Sequence, residues 1–162
     1  MSEATDRLVK HLGYEPGGLS EEERKRLVAD SQRRLAGVRI VSDDQLTPSQ
    51  AVTLKLARAI TKDLMPARMQ SPVHAAVIPP ASDRVRTAGM YSRRTWEIYI
   101  ATDQLERGRT AVDTVIHEIA HHTSGAEDLE EAHSEAMTRV AARVVEMTHN
   151  GKFDELMKEA TW

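Results

Sequence analysis

The chain has 162 residues and not one cysteine. That absence excludes disulfide staples, cysteine-ligated zinc ribbons, iron–sulfur clusters and a thiol nucleophile. Any metal must sit on histidine and carboxylate. Aromatics are scarce as well: Tyr14, Tyr91, Trp96, Tyr99, Phe153 and Trp162 are the full set, too few for an extended base-stacking platform. No apolar run approaches the ~20 residues of a membrane span. The opening Met1-Ser2-Glu3-Ala4-Thr5-Asp6 has neither the basic nor the apolar region of a secretory signal. No membrane association is expected, and the cytoplasm is the expected compartment. Internal repeats and low-complexity tracts are absent too.

What is present suits one domain with an appended arm, since globular domains peak at ~100–150 residues. The net charge of −3 gives no global reason to expect nucleic acid, but its distribution is uneven. Residues 1–46 carry 8 basic and 9 acidic side chains, residues 47–112 carry 10 and 5, and residues 113–162 carry 4 and 11. A basic middle thus precedes an acidic C-terminal third.

Residues 4–12 and 20–36 read as helices, with Ser20 and Glu23 forming a capping-box pattern. Residues 38–41 read as a short strand. Thr47-Pro48 opens a helix that stops before Pro66, with Thr as N-cap and Pro at its first position. The middle changes character. Ala75–Ile78, Val85–Met90 and Thr95–Ala101 are rich in β-branched and aromatic residues and predict a small antiparallel sheet. From Thr110 the helical period returns, stopped by Ser124-Gly125. A long helix is expected from Asp128 to about His149, then a short one over Phe153–Ala160. The fold class is α+β: a small antiparallel sheet packed on one central helix and a second long helix, with extra N-terminal helices. The predicted division is an N-terminal helical arm or lid over 1–46 and a main domain over 47–162.

The central helix carries His117-Glu118-Ile119-Ala120-His121, an HExxH pattern. Residues four apart on a helix differ by about 40° in direction and about 6 Å in rise, so the two imidazoles converge on one ion. Glu118, beside them, is poorly placed to ligate that ion but can hold a water bound to it. Zinc suits such ligands because it is borderline-soft, accepts imidazole nitrogen and is redox-inert. A catalytic zinc needs a third protein ligand and one open position, and the third must come from beyond Gly125. His133 is preferred, because it shares an inward helical face with Met137, Val140 and Val144. Glu130 lies one turn earlier on that side. Asp128 and Glu131 read as a capping box with local backbone work. All three remain alternatives. His122 reads as a capping or solvent residue, His74 as structural, and His11 and His149 as surface.

With these residues in view, Gly89 to about Val145 resembles the compact zincin-type metallopeptidases. Gly89, the strand Glu97-Ile98-Tyr99-Ile100, the spacer Leu105–Arg109, the helix segment His117–His122 and the segment Asp128–Val145 follow one another in the order those families use. The run from His117 to Asp128 is similar to the HELAHH-x-SG-x-x-D form of predicted bacterial and phage metallopeptidases. His133 to Met137 resembles the third-ligand segment of SprT-like proteases, although Ser134 stands where those have glycine and their cysteine zinc ribbon is missing.

The resemblance implies hydrolysis of peptide bonds in a protein or peptide substrate. Glu118 would take a proton from zinc-bound water and pass it to the leaving amine. Tyr91, Tyr99 and His74 are the candidate oxyanion donors. An edge strand expected at Trp96–Ala101, through Ile98, Tyr99 and Ile100, would bind substrate by strand addition. One rival is a zincin-scaffold binding or regulatory protein with a structural or vestigial metal, DNA association included. Arg84, Arg86, Arg93 and Arg94 would then form a basic patch steering DNA or an acidic polypeptide. Scattered solvated arginines are the plainer reading of those four.

Overall fold

A computed structural model describes residues 20–23, 25–26, 37–65, 72–80 and 86–162. The expected helix over 4–12, and most of the one over 20–36, lie outside those residues. Residues 21–23 and 25–26 are helical. The capping box read at their start is formed: Ser20 N–H donates to Glu23 Oε2 at 2.7 Å, and Glu23 N–H to Ser20 Oγ at 3.2 Å.

The first full helix among the described residues, α1, is Pro48–Leu64. Thr47 and Gln50 close a reciprocal capping box of 3.0 and 3.2 Å, and Pro48 occupies the first turn, where its missing N–H costs nothing. Its buried side presents Leu54, Leu56, Ala57 and Ile60. Thr53 and Thr61 share that side, and each hydroxyl donates to the carbonyl four residues back, so neither is an unsatisfied polar group in the core.

Four strands form one sheet: β1 (Arg39–Val41), β2 (Val73–Val77), β3 (Gly89–Ser92) and β4 (Glu97–Ala101). Their order is β1-β2-β4-β3. The expected antiparallel sheet is corrected to a mixed one, because β2 and β4 run parallel while β1–β2 and β3–β4 are antiparallel. The cause is connectivity. Residues 93–96 make a tight hairpin turn that lays β3 on the outside of β4, and β2 then joins the other side of β4 in the same direction. Hairpin alternation is local and visible in a sequence; which strand later inserts beside it is not.

Three further expectations change. β4 is an interior strand with partners on both sides. Ile98, Tyr99 and Ile100 therefore have no free main-chain edge for strand addition, and the edges are β1 and β3. The strand read at Val85–Met90 is Gly89–Ser92, with residue 85 outside the described set. β1, assigned to the N-terminal arm, pairs Arg39 with Val77 and Val41 with Ala75, so the folded unit extends back to residue 39 rather than starting at 47.

Helix α2 is Gly108–Ser124, α3 is Glu131–His149 and α4 is Asp154–Glu159. Gly125, at φ +67, ends α2 in the left-handed conformation, and its N–H donates to His121 O at 3.0 Å. Helix α3 starts three residues later than expected. Asp128 and Leu129 form a turn, with Leu129 at φ +69, and Glu130 stands at the N-cap. The Asp128–Glu131 capping box is not formed. Instead Glu130 Oε1 accepts from the Glu127 N–H at 2.8 Å, which leaves the Asp128 carboxylate for other work.

One hydrophobic core joins these elements. Ile98 and Ile100 of β4, Val73 and Ala75 of β2, Leu54, Leu56 and Ile60 of α1, Val115 and Ile119 of α2, and Val140 and Val144 of α3 belong to a single buried cluster. Each fully buried aliphatic side chain contributes about 1.5–3 kcal/mol, so α2 is held in rotation as well as position. No helix among the described residues is long and apolar enough to cross a membrane.

Candidate metal centre

Helix α2 buries Ala111, Val115, Ile119 and Ala120, and this fixes where its histidines point. His117 and His121 project one turn apart, ring centroids 4.8 Å from each other, with their Nε2 atoms 3.1 Å apart. His133, from the first turn of α3, is 2 % exposed. Its ring centroid lies 4.7 Å from that of His117 and 4.1 Å from that of His121, and its Nε2 is 3.3 Å from the His117 carbonyl oxygen. The loop between α2 and α3 delivers a fourth group. Asp128 Oδ1 is 2.9 Å from His117 Nε2 and 3.1 Å from His121 Nε2.

One ligand atom from each of His117, His121, Asp128 and His133 falls within 4.8 Å of every other. Ligands at ~2.0–2.1 Å from a tetrahedral ion stand ~3.3 Å apart. The 2.9–3.1 Å separations among His117, His121 and Asp128 are close to that edge length. The cluster can hold a metal ion.

The groups behind these donors prepare them for metal. The Ala126 carbonyl is 2.9 Å from His121 Nδ1. A carbonyl only accepts, so the proton is on Nδ1 and Nε2 keeps its lone pair. Burial lowers the pKa of His121 most strongly; the neighbouring His133 and His117 lower it further, while the Ala126 carbonyl and the Asp128 charge oppose them. The net effect favours the neutral, ligating form. Arg93, in the β3–β4 hairpin, donates to the same Ala126 carbonyl at 2.9 Å and pairs with Glu127 at 3.0 Å. The hairpin thereby pins the root of the Asp128 loop.

Glu118 is 5 % exposed. Burial above all, then the Asp128 charge, pushes its pKa up to about 8, against a hydrogen bond from the Tyr91 backbone N–H. A carboxyl in this range can both accept and release a proton near neutral pH. Edge strand β3 supplies that N–H because it passes very close to α2. A Cβ on Gly89 would lie 2.5 Å from Thr114 Cγ2 and 2.9 Å from Glu118 Oε1.

The three oxyanion candidates separate. Tyr91 pairs with Ile98 in the sheet and shares its face; its hydroxyl is 2.5 Å from His122 Nδ1. Tyr99 and His74 lie on the opposite face, both bonded to Glu97 at 2.7 and 3.1 Å. They form a closed polar cluster in which burial opposes Glu97 ionisation and bonds from Thr95, Tyr99 and His74 outweigh it. Tyr99 and His74 are therefore not brought to the histidines. The arginines of the basic patch have different surroundings. Arg93 is turned inward, Arg86 faces Asp103 at 3.7 Å, Arg94 is exposed, and Arg84 lies outside the described residues.

The sequence pattern left Asp128 as an alternative to His133, whereas the structure brings both to the helix histidines; the role of Arg93 had no signal in the pattern. The signal for Asp128 was its place three residues after the Gly125 stop, in a stretch too short to carry it away from the histidines. Comparison of the chain with protein-family models, curated proteins and solved structures finds no match in any of the three.

Proposed function

We propose that this protein is a zinc-dependent metallopeptidase. The observation that carries the reading is the convergence of His117, His121 and His133 on one point beside a buried Glu118 that has no place among the converging donors. Zinc in that site would supply Lewis acidity and acidify water to near neutrality. His117 and His121 would hold it through Nε2, with His121 kept in the correct tautomer by Ala126. His133 would fix it from beneath, out of contact with solvent. Glu118 would take a proton from the attacking water and return it to the leaving amine. The Tyr91 hydroxyl is the one candidate oxyanion donor on the α2 side of the sheet. Substrate would add along β3, the sheet edge next to α2, rather than along β4.

A second reading draws on the number of donors. Three histidines and one aspartate fill a tetrahedral site, and closed four-ligand sites are typically structural. The protein would then be a metal-stabilised binding or regulatory scaffold. One substitution separates the two. Glu118→Gln in the zinc-loaded protein is expected to retain its metal while hydrolysis of a fluorogenic peptide library falls by at least ~100-fold, the scale of general acid–base assistance. Unchanged hydrolysis would refute Glu118 as the base, and no hydrolysis by the wild type under any condition would favour the scaffold.

A further inference from the structure

We propose that Asp128 is a displaceable fourth ligand: it occupies the coordination position that substrate needs and leaves when substrate arrives, so the site caps itself. This rests on the metallopeptidase reading above and specifies how that site is opened. The geometry begins with a single oxygen, Oδ1, which reaches both Nε2 atoms of the helix histidines at 2.9 and 3.1 Å. A carboxylate oxygen there stands where a ligand of the same ion would stand. A catalytic zinc carries three protein ligands and an open position, and this chain offers a donor for the position that should be open.

The depth of the four donors decides which one can move. His133 is 2 % exposed, and the side chains of His121, His117 and Asp128 are 13, 37 and 66 % exposed. Asp128 therefore lies at the mouth, on the side from which a substrate carbonyl must come, while the histidines line the floor and walls. The three histidines are also fixed to helices locked into the core. Asp128 sits in a turn and on no such helix. Its loop is anchored just before it by Arg93 on Ala126 and Glu127, and by the Glu127 N–H on Glu130. Between those anchors and the α3 N-cap, only Asp128 and Leu129 are left. Leu129 is fully exposed and holds φ +69, a conformation that an L-residue with a branched side chain adopts at a cost. No packing retains it there, and the turn is closed only by the Glu130 N–H on the Glu127 carbonyl at 3.3 Å, whose two ends lie outside the pair. A rotation confined to these two residues would withdraw the carboxylate and relieve that conformation while the histidine cage stays intact.

The test uses full-length protein loaded with Co²⁺ in place of zinc, and compares wild type with Asp128→Ala and Asp128→Asn. Two affinities are read: that of the metal, by chelator competition, and that of acetohydroxamate, by its perturbation of the cobalt visible spectrum. The expected result is a pair of opposite shifts. Both variants lose metal affinity by at least ~10-fold, as removal of a ligand requires, and gain acetohydroxamate affinity by at least ~10-fold because their fourth position is no longer contested. A merely structural aspartate would not move the two in opposite directions. If neither affinity changes, Asp128 is not a ligand and the proposal fails, with the peptidase reading untouched. If wild type excludes acetohydroxamate at every concentration while the variants bind it, Asp128 is a permanent ligand and displacement is refuted. If the wild type takes up no metal, the underlying reading fails first. His133→Ala, expected to lose metal outright, is the control for the assay.

Discussion

Gly89 shows how much the site depends on one missing atom. Because β3 runs within van der Waals contact of α2 there, the Tyr91 N–H reaches the Glu118 carboxylate, and Glu118 is held beside the histidines. Gly89→Ala would place a methyl 2.5 Å from Thr114 Cγ2 and 2.9 Å from Glu118 Oε1, so strand and helix must separate. The expected cost is about 1–3 kcal/mol of stability, seen as a lower melting temperature; on the metallopeptidase proposal, hydrolysis falls proportionally more than metal binding. A second residue-scale prediction concerns pH. Arg58 holds both oxygens of Asp43, at 2.5 and 3.1 Å, and donates through Nε to the Val73 carbonyl at 3.0 Å. The Arg58 hydrogen bonds keep the Asp43 carboxyl below its usual range, against the opposing effect of burial. A depressed folded-state value means that the stabilisation is present at neutral pH and is lost as pH falls through that value. Asp43→Asn should therefore lower stability at pH 7 by no more than ~1 kcal/mol, because the pair is largely solvated. The deficit relative to wild type should shrink in acid melts; a deficit that is constant with pH would contradict the pairing.

Between elements, the decisive contact is that of the β3–β4 hairpin with the α2–α3 loop. Arg93 ties the two through Ala126 and Glu127, and Ala126 in turn sets the tautomer of His121. A side chain that reads in the sequence as part of a basic surface thus acts behind the metal donors. Arg93→Ala is expected to weaken metal binding by ~10–100-fold, the usual range for groups that orient ligands. Chelator competition measures it, and Arg94→Ala, at an exposed neighbour, should leave the affinity unchanged. The same contact explains why α3 begins at Glu131 and not at Asp128. The loop is short and pinned at its root, so Asp128 is retained over the histidines rather than wound into the helix.

For the whole molecule, α1, the sheet, α2 and α3 share one core, and a metal at the α2–α3 junction would bind only once that core has formed. Linkage then requires metal to stabilise the fold. Zinc at about a hundred times its Kd should raise stability by about 2.7 kcal/mol, visible as a rise in melting temperature that chelator reverses. His133→Ala should abolish the rise. Metal-independent melting of the wild type would argue against any such site in the folded state.

Periodicity and punctuation determined the elements by local physics. Thr47-Pro48 starts α1, Gly125 ends α2, and the His117–His121 spacing puts two imidazoles on one side of a helix whatever the rest of the chain does. The inward phase of His133 was also legible, because α3 has one apolar stripe and His133 lies on it. Tertiary structure alone decided the remainder. Whether β4 is an edge or an interior strand depends on where β2 inserts, and a strand pairs by the same backbone groups in either place. Whether Asp128 caps a helix or faces two histidines depends on which hydrogen-bonding option the packed loop leaves it, and a carboxylate satisfies either one. Spacing along the chain fixed the two helix histidines; packing between elements supplied His133, Asp128 and Arg93 with their positions around them.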